Sequence, residues 1–257
     1  MSTLPAPVIL YGVPFSQPVR AVMWLMLYER APFEMVPVNP GSRGEKGSRS
    51  AAYLAKNPGG TIPCLEEPDT GFVLGEAHAI MCYLSRARGW TDVYPSGLRE
   101  RARVDGYLHY HHRNVREASV GLVAPKIRKD LDLSEERRNA ARATFDTALA
   151  ALESGWLARS RFLAGDQVTL ADFAAYVEIG QLRPSFTNVY DFDPFPNVRR
   201  WLDDMAQIEG HDAVHVVLEV LGDISEEAPS METIREANKR ALAALKTELA
   251  KIAAGVT

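Results

Sequence analysis

The sequence has few of the features that mark secreted, membrane-spanning or nucleic-acid-binding proteins. Its 257 residues include only two cysteines, Cys64 and Cys82, which is too few for a disulfide framework. It contains no run of about 18 apolar residues, so no transmembrane helix is predicted. The net charge is −4, and nucleic acid would need a concentrated basic patch. Neither a membrane nor a nucleic acid is therefore predicted as a partner.

Composition and the first residues favour a globular cytoplasmic protein. The opening stretch, MSTLPAPVIL, lacks a basic region followed by a long apolar segment, so no secretory signal is predicted. Apolar residues make up 46% of the chain and charged residues 24%, as in proteins with packed cores. The length allows one large domain or two small ones.

Short apolar runs alternate with helical patterns in the first 90 residues. Strands are predicted at VILYGV (8–13), FEMVPV (33–38), IPCLEE (62–67) and FVLG (72–75), and helices at 17–30, 51–57 and 75–88. This βαβαββα order predicts an α/β domain over residues 1–90, with a mixed sheet and helices on its faces.

The pattern changes after the turn-rich linker GWTDVYPSG. Between 98 and 210 no strand is predicted, and helical spacing covers 98–122, 135–158, 170–184 and 196–208. An all-α domain is therefore predicted over residues 97–257. Its tail, 229–254, reads as an amphipathic helix with an apolar stripe at Ile234, Ala241, Leu242, Leu245 and Leu249. That helix either packs on the second domain or acts as a lid or an oligomer contact.

Several motifs in order resemble those of cytosolic glutathione transferases, in particular the theta-like branch that uses a serine. They are FSQPVRA, NPGGTIP, GEAHAI, RARVDGYL and FLAGDQVTLADF, and the resemblance covers about residues 8–210. It implies a thioredoxin-like N-terminal domain, an all-α C-terminal domain, glutathione as co-substrate, no metal, and a homodimer.

Ser16 lies between the first strand and the helix 17–30, so it either caps that helix or offers its hydroxyl to a substrate. The glutathione thiol has an unperturbed pKa of about 8.5, and the thiolate is the nucleophile. A hydroxyl donor and the positive end of a helix would both stabilise that anion. The resemblance makes Ser16 the catalytic residue, whereas Tyr11 is interpreted as a core or interface residue.

The resemblance also assigns glutathione-binding residues in the first domain. In the family, the proline equivalent to Pro63 follows a cis bond, and the backbone groups of Ile62 beside Thr61 pair with the cysteine of glutathione. Glu76 and Ala77 open a helix whose N-terminus would hold the γ-glutamyl group. The family usually has a serine or threonine where this chain has Ala77, so weaker affinity or a substitute donor is expected.

The loop 41–50 is expected to hold the glycine carboxylate of glutathione. It contains no histidine, and Ser48 and Arg49 occupy the corresponding positions, with Lys46 as an alternative cation. Gln17 is assigned to glutathione as well. Asp105 matches an acidic position that reaches the glutathione of the neighbouring subunit in the family, although it could equally make surface ion pairs.

The helix carrying His109, Tyr110, His111 and His112 is expected to line the cleft between the domains. Two imidazoles on one face lack the further ligands of a zinc site, so no metal is predicted. The predicted contacts to a small apolar electrophile are Val13, Phe15, Tyr107, Tyr110, Arg113 and Arg116. Thr169 and Asp172 form an S/T-x-x-D box that is predicted to cap a helix.

Together these residues predict a glutathione transferase in which Ser16 stabilises the thiolate that attacks the electrophile. Two alternatives remain open at this point. The same fold could support a glutathione-dependent dehalogenase, peroxidase or isomerase. It could also serve as a non-catalytic module that docks a partner through its tail helix.

Overall fold

The protein is described over residues 7–127 and 131–255 by a computed structural model. Residues 1–6 of the first predicted domain, and 128–130 and 256–257 of the second, lie outside the described residues. The sheet and its helices lie within 8–88, and all the later helices lie within 98–253. The predicted combination of a thioredoxin-like α/β domain and an all-α domain is confirmed.

The N-terminal domain is built on a four-stranded mixed sheet. Its strand order is β2-β1-β3-β4, with β1 parallel to β2 and antiparallel to β3, and β3 antiparallel to β4. The strands are β1 (Val8–Gly12), β2 (Phe33–Pro37), β3 (Cys64–Glu67) and β4 (Phe72–Gly75).

Successive side chains of β1 point to opposite faces of the sheet, as the two-residue period of a strand requires. Val8 and Leu10 enter the main core, whereas Tyr11 packs with Val38 and Tyr53 in a small separate cluster. Only the face that carries Val8 and Leu10 therefore supports the helices that lead to the second domain.

Ten α-helices lie within the described residues. They are α1 (Gln17–Tyr28), α2 (Ala51–Lys56), α3 (Ala77–Arg88), α4 (Leu98–Arg113), α5 (Ala124–Ile127), α6 (Glu135–Ala151), α7 (Leu170–Ile179), α8 (Pro196–Met205), α9 (His211–Leu221) and α10 (Met231–Ala253). Short π-helical turns at Ser119–Val123 and Leu152–Trp156 and a 3₁₀ turn at Gly180–Leu182 complete the helical structure.

Two helical segments differ from the sequence prediction. The helix predicted over 98–122 ends at Arg113, and the chain turns at Asn114 (φ −128°, ψ −75°) before the next π-helical turn. The helix α9 was not among the predicted segments. It follows Gly210, whose φ of +83° suits glycine and breaks the helical pattern after α8.

The main core runs through both domains, and Trp24 of α1 lies within it. The Trp24 ring makes edge contacts with Phe173 and Tyr176 of α7 and with His211 and His215 of α9, at centroid distances of 5.1–5.5 Å. Its indole N–H donates to the Glu209 carbonyl at 2.9 Å. The helix α1 therefore packs directly against the C-terminal domain through Trp24.

The tail helix α10 packs along α9. Ala237, Ala241 and Leu245 are its buried residues, so the predicted stripe is confirmed at Ala241 and Leu245, while Leu242 and Leu249 are half-buried. The sequence left open whether this helix packs on the second domain or acts as a lid or an oligomer contact. In the structure it packs on the second domain, against α9.

Asp172 in the first turn of α7 organises the neighbouring loop. Its carboxylate accepts hydrogen bonds from the backbone amides of Leu163 and Thr169, both at 2.9 Å, and from the Trp201 indole at 3.0 Å. Burial raises its pKa to about 6, against the effect of these donors, so it is ionised at neutral pH. The predicted bond from Asp172 back to the Thr169 amide is confirmed.

Replacing Asp172 with asparagine should destabilise the fold. The amide NH2 would face donors that are buried, and the free energy of unfolding should fall by about 2–4 kcal/mol, measured by urea denaturation. Asp166→Asn is the matched control, because Asp166 is exposed in the same loop and its loss should cost less than about 0.5 kcal/mol. Equal losses in the two variants would contradict the assignment.

Candidate active site

Ser16 lies at the N-cap position of α1, but its hydroxyl does not cap the helix. Its backbone is extended (φ −77°, ψ 124°), the side chain accepts no hydrogen bond from the first turn, and Pro18 lies within that turn. The first turn of α1 contains no acidic residue. The hydroxyl is therefore available to a ligand beside the positive end of the helix.

A cavity of about 160 Å³ lies between the domains, beside the first turns of α1. The N-terminal domain supplies Pro18 and Ala21, the loop 61–63 and the start of α3 at 76–78, all of which line this space. The helix α7 and the segment that includes the end of α4 close the other side with His111, His112, Arg116, Ala174, Val177 and Glu178. The structure thus brings together the predicted residues Thr61, Ile62, Pro63, Glu76, Ala77 and Arg116.

The Ile62–Pro63 peptide bond is cis, as the resemblance implied. Among residues 7–127 and 131–255, neither the amide nor the carbonyl of Ile62 has a hydrogen-bond partner. The carbonyl of the preceding Thr61 is occupied, because it accepts from the Tyr53 hydroxyl at 2.6 Å and from Asn57 Nδ2 at 2.9 Å. Ile62 therefore presents a free donor and a free acceptor two residues before β3.

Glu76 and Ala77 begin α3 at the other side of the cavity. Glu76 is exposed, has a φ of +69° and makes no side-chain cap to the helix. Because the first amides of a helix have no partner within it, the start of α3 can hold a carboxylate through backbone groups. Ala77 is buried and adds no side-chain donor there.

The loop before Ser16 is held by Arg20, which sequence reasoning missed. The Arg20 guanidinium is fully buried and donates to the carbonyls of Pro14 at 3.2 Å and Phe15 at 2.9 Å. It also donates to the Val177 carbonyl of α7 at 3.2 Å. Burial lowers its pKa to about 10, so it remains a cation at neutral pH. Arg20 thus joins the Ser16 loop to the C-terminal domain.

Arg116, predicted as an electrophile contact, forms an ion pair with Glu178. The Glu178 side chain is only 1% exposed and also accepts a hydrogen bond from the Ser119 hydroxyl. Gln17, predicted to bind glutathione, donates to Gln181 Oε1 at 2.8 Å and accepts from Arg116 at 3.4 Å. The nitrogen and the oxygen of the Gln17 side-chain amide therefore both bond to residues of the C-terminal domain.

The two glutathione-binding residues predicted in the loop 41–50 differ in exposure, since Ser48 is buried and Arg49 is exposed. Ser48 is fully buried and its hydroxyl accepts from the Gly41 amide at 2.9 Å, so it stabilises the loop. Arg49 is exposed and lies against Gly60, where an added Cβ would come within 2.9 Å of Arg49 Nη1. Arg49 therefore lies next to the segment that carries Ile62.

Several other predicted residues are not brought to the cavity. Tyr107 and Tyr110 line a separate groove with Trp156, on another face of α4. Asp105 accepts from the Tyr94 hydroxyl at 2.7 Å. Phe15 packs against α9 and α10, and Arg113 is exposed beyond the cavity lining. Val13 is half-buried, and its carbonyl accepts from the Ser16 amide at 3.0 Å.

Three histidines meet at the cavity, although only His111 and His112 are neighbours in the sequence. The His78 ring lies 4.8 Å from the His111 ring and 4.4 Å from the His112 ring. Burial lowers the pKa of His78 to about 3 and that of His111 well below its usual value, so both are neutral. Within the described residues, no group of three or more His, Cys, Asp or Glu side chains is arranged to hold a metal ion.

Tyr11 faces away from the cavity. Its hydroxyl donates to Glu66 at 2.5 Å, and Lys56 forms an ion pair with the same carboxylate at 2.6 Å. Burial and the bond to Glu66 raise the pKa of Tyr11. The side chain is thus engaged on the far side of the sheet, which agrees with its interpretation as a core or interface residue.

The fold and the cleft define a two-domain protein with a thioredoxin-like half and a helical half. Residues 10–91 match the family profile of the glutathione S-transferase N-terminal domain, and residues 135–204 match that of the C-terminal domain. The chain belongs to the glutathione S-transferase family. No helix within the described part of the chain is long and apolar enough to cross a membrane.

Similar proteins place the chain beside the theta class. Human glutathione S-transferase theta-1 is 30% identical over 227 residues, which cover 86% of this chain and 91% of that protein. Human theta-2B is 31% identical over 243 residues, covering 92% and 96%. The structure of human theta-2 in complex with glutathione and an unknown ligand aligns with a TM-score of 0.71 and 28% identity, covering 95% and 99%.

Removing Arg116 should destabilise the protein, because it leaves the carboxylate of Glu178 buried without its cation. We expect Arg116→Met to lower the free energy of unfolding by about 2–4 kcal/mol, and Arg116→Met with Glu178→Gln to recover part of that loss. Arg113→Met, at an exposed position of α4, is the control and should change little. A double variant no more stable than Arg116→Met alone would show that the pair is not the cause.

Proposed function

We propose that this glutathione S-transferase binds glutathione in the cavity between its domains and transfers the thiolate to a small apolar electrophile, with the Ser16 hydroxyl donating to the sulfur. The observation that carries the proposal is the state of Ser16. Its hydroxyl lies at the start of a buried helix and makes no hydrogen bond within the described residues.

The electrostatics around Ser16 favour an anion. The helix N-terminus carries a positive partial charge, and no carboxylate in its first turn opposes it. The Arg20 cation lies one turn further on, and the nearby Glu178 is neutralised by Arg116. A hydroxyl bond to the thiolate is worth about 1.5–3 kcal/mol, which corresponds to a pKa about one to two units lower.

Backbone groups would hold the rest of glutathione. The free amide and carbonyl of Ile62 can pair with its cysteine residue as an added strand does. The amides at the start of α3 would take the γ-glutamyl carboxylate, and Glu76 would take its ammonium group. Arg49 would bind the glycine carboxylate. The missing hydroxyl at Ala77 should weaken binding without removing this arrangement.

The electrophile would lie against the helical side of the cavity, beside Arg116 and α7. Val13 and Phe15 remain proposed contacts through the Ser16 loop, while Tyr107 and Tyr110 would contribute only if the electrophile reached their groove. A homodimer in the cytoplasm is part of the proposal. The role of Asp105 toward a neighbouring subunit stays a prediction.

Ser16→Ala should lower kcat/KM by about 10- to 100-fold, because the thiolate loses its donor. The test measures turnover of glutathione with an aryl halide, a benzyl halide, an isothiocyanate and a hydroperoxide, and follows thiolate absorbance against pH. The pKa of the bound thiol should rise toward about 8.5 in the variant. Tyr11→Phe is the control and should retain the wild-type pKa.

Each outcome of this test assigns or removes a role. Unchanged rates in Ser16→Ala would overturn the thiolate-donor role. Turnover of the hydroperoxide alone would point to a peroxidase on the same fold. No turnover with any electrophile and no glutathione binding would point to the non-catalytic module.

Arg49→Gln should raise the KM for glutathione by about 3- to 10-fold and leave kcat nearly unchanged, because the lost contact is the same in the ground and transition states. Arg43→Gln is the matched control, since Arg43 is an exposed cation in the same loop. A rise of equal size in both variants would indicate general electrostatic attraction rather than a contact from Arg49.

A further inference from the structure

The tail helix α10 reaches the loop that carries Ser16. Asn238 lies in the second turn of α10, which begins at Met231, and its Oδ1 atom accepts a hydrogen bond from the Phe15 amide at 3.0 Å. Phe15 immediately precedes Ser16. This contact joins residues 223 positions apart in the sequence. Asn238 lies beyond residue 204, where the match to the C-terminal family profile ends.

The orientation of the Asn238 amide is fixed by its own helix. Its Nδ2 donates to the Ile234 carbonyl one turn earlier, at 3.0 Å, which leaves Oδ1 to accept from Phe15. The Phe15 ring packs against a small cluster formed by α9, α10 and Phe186, in which Val217, Leu218, Ala237 and Ala241 are buried. Asn238 therefore lies in a part of α10 that is packed against α9 and Phe15, not at a free end of the helix.

The peptide groups before Ser16 are held by side chains of two helices, α1 and α10. Arg20 donates to the carbonyls of Pro14 and Phe15, and Asn238 accepts from the Phe15 amide. The Ser16 amide itself donates to the Val13 carbonyl at 3.0 Å. With these bonds in place, the direction of the Ser16 side chain depends on its own rotamer alone.

We propose that Asn238 is a positioning residue for Ser16, and that α10 thereby sets how strongly the active site ionises glutathione. This inference rests on the proposed function of Ser16. Loss of the Asn238 bond leaves the Phe15 amide without an acceptor and the Pro14–Phe15 peptide held only by Arg20. The hydroxyl then spends less time within bonding distance of the sulfur, and the pKa of the bound thiol rises.

The test combines Asn238→Leu with Ser16→Ala in a double-mutant cycle on the full chain. Asn238→Leu keeps the size of the side chain and removes the acceptor, and Asn238→Ala serves as a second variant if leucine perturbs packing. In the presence of Ser16, we expect kcat/KM with an aryl halide to fall about 3- to 10-fold and the thiol pKa to rise by about half a unit. In the Ser16→Ala background the same substitution should change the rate less than about twofold.

Two further measurements separate positioning from a merely structural role. Hydrogen exchange of the Phe15 amide should speed up in Asn238→Leu while the exchange of α7 amides stays unchanged. Asn139→Leu is the matched control, because Asn139 is exposed on α6 and its substitution should leave rate and thiol pKa unchanged.

Three results would overturn the inference. One is an equal fall in rate for Asn238→Leu in both backgrounds, which would indicate loss of structure. The second is a Phe15 amide that exchanges freely in the wild-type protein. The third is a wild-type rate in Asn238→Leu while Ser16→Ala is slow, which would leave the proposed function intact. If Ser16→Ala itself is fully active, the proposed function fails first and this inference fails with it.

Discussion

The position of α1 depends on one buried cation. Arg20 is completely removed from solvent, and a buried charge is costly unless it is paired and hydrogen-bonded. Its guanidinium meets the carbonyls of Pro14, Phe15 and Val177, with Glu178 close enough to favour the charge. A shift of α1 relative to α7 would break the bond to Val177 and move the cation away from Glu178, so the Ser16 loop is coupled through Arg20 to the helical domain.

In the proposed site, different groups would bind glutathione and activate its sulfur. Glutathione would be held largely by backbone groups, those of Ile62 and of the first turn of α3, which remain whatever the side chains are. In the proposed site, the missing hydroxyl at Ala77 would therefore reduce affinity without changing where the tripeptide lies. Activation of the sulfur would depend instead on one side chain, Ser16, and the backbone before it is held by Arg20 and by Asn238 of α10.

Local motifs allowed much of the fold and part of the site to be predicted. A capping box of neighbouring residues predicted the bond of Asp172 to the Thr169 amide, and the family resemblance carried by NPGGTIP predicted the cis bond before Pro63. Arg20, Glu178 and Asn238 could not be found in this way, since their partners lie far away in the sequence. Tyr107 and Tyr110 were assigned to the cleft because helical periodicity groups residues into faces but does not say which face meets the cavity.

Because the proposed binding groups and Ser16 are held by different parts of the fold, substitutions in the tail helix should affect ionisation of the thiol more than affinity for glutathione. Packing between α9 and α10 brings Asn238 to the Phe15 amide, whereas Ile62 and α3 belong to the N-terminal domain. A change that loosens the tail would leave the groups proposed to hold glutathione in place and misdirect the hydroxyl beside the sulfur. In the proposed site, affinity for glutathione would depend on the N-terminal domain, and ionisation of its thiol would depend on the interface between the two domains.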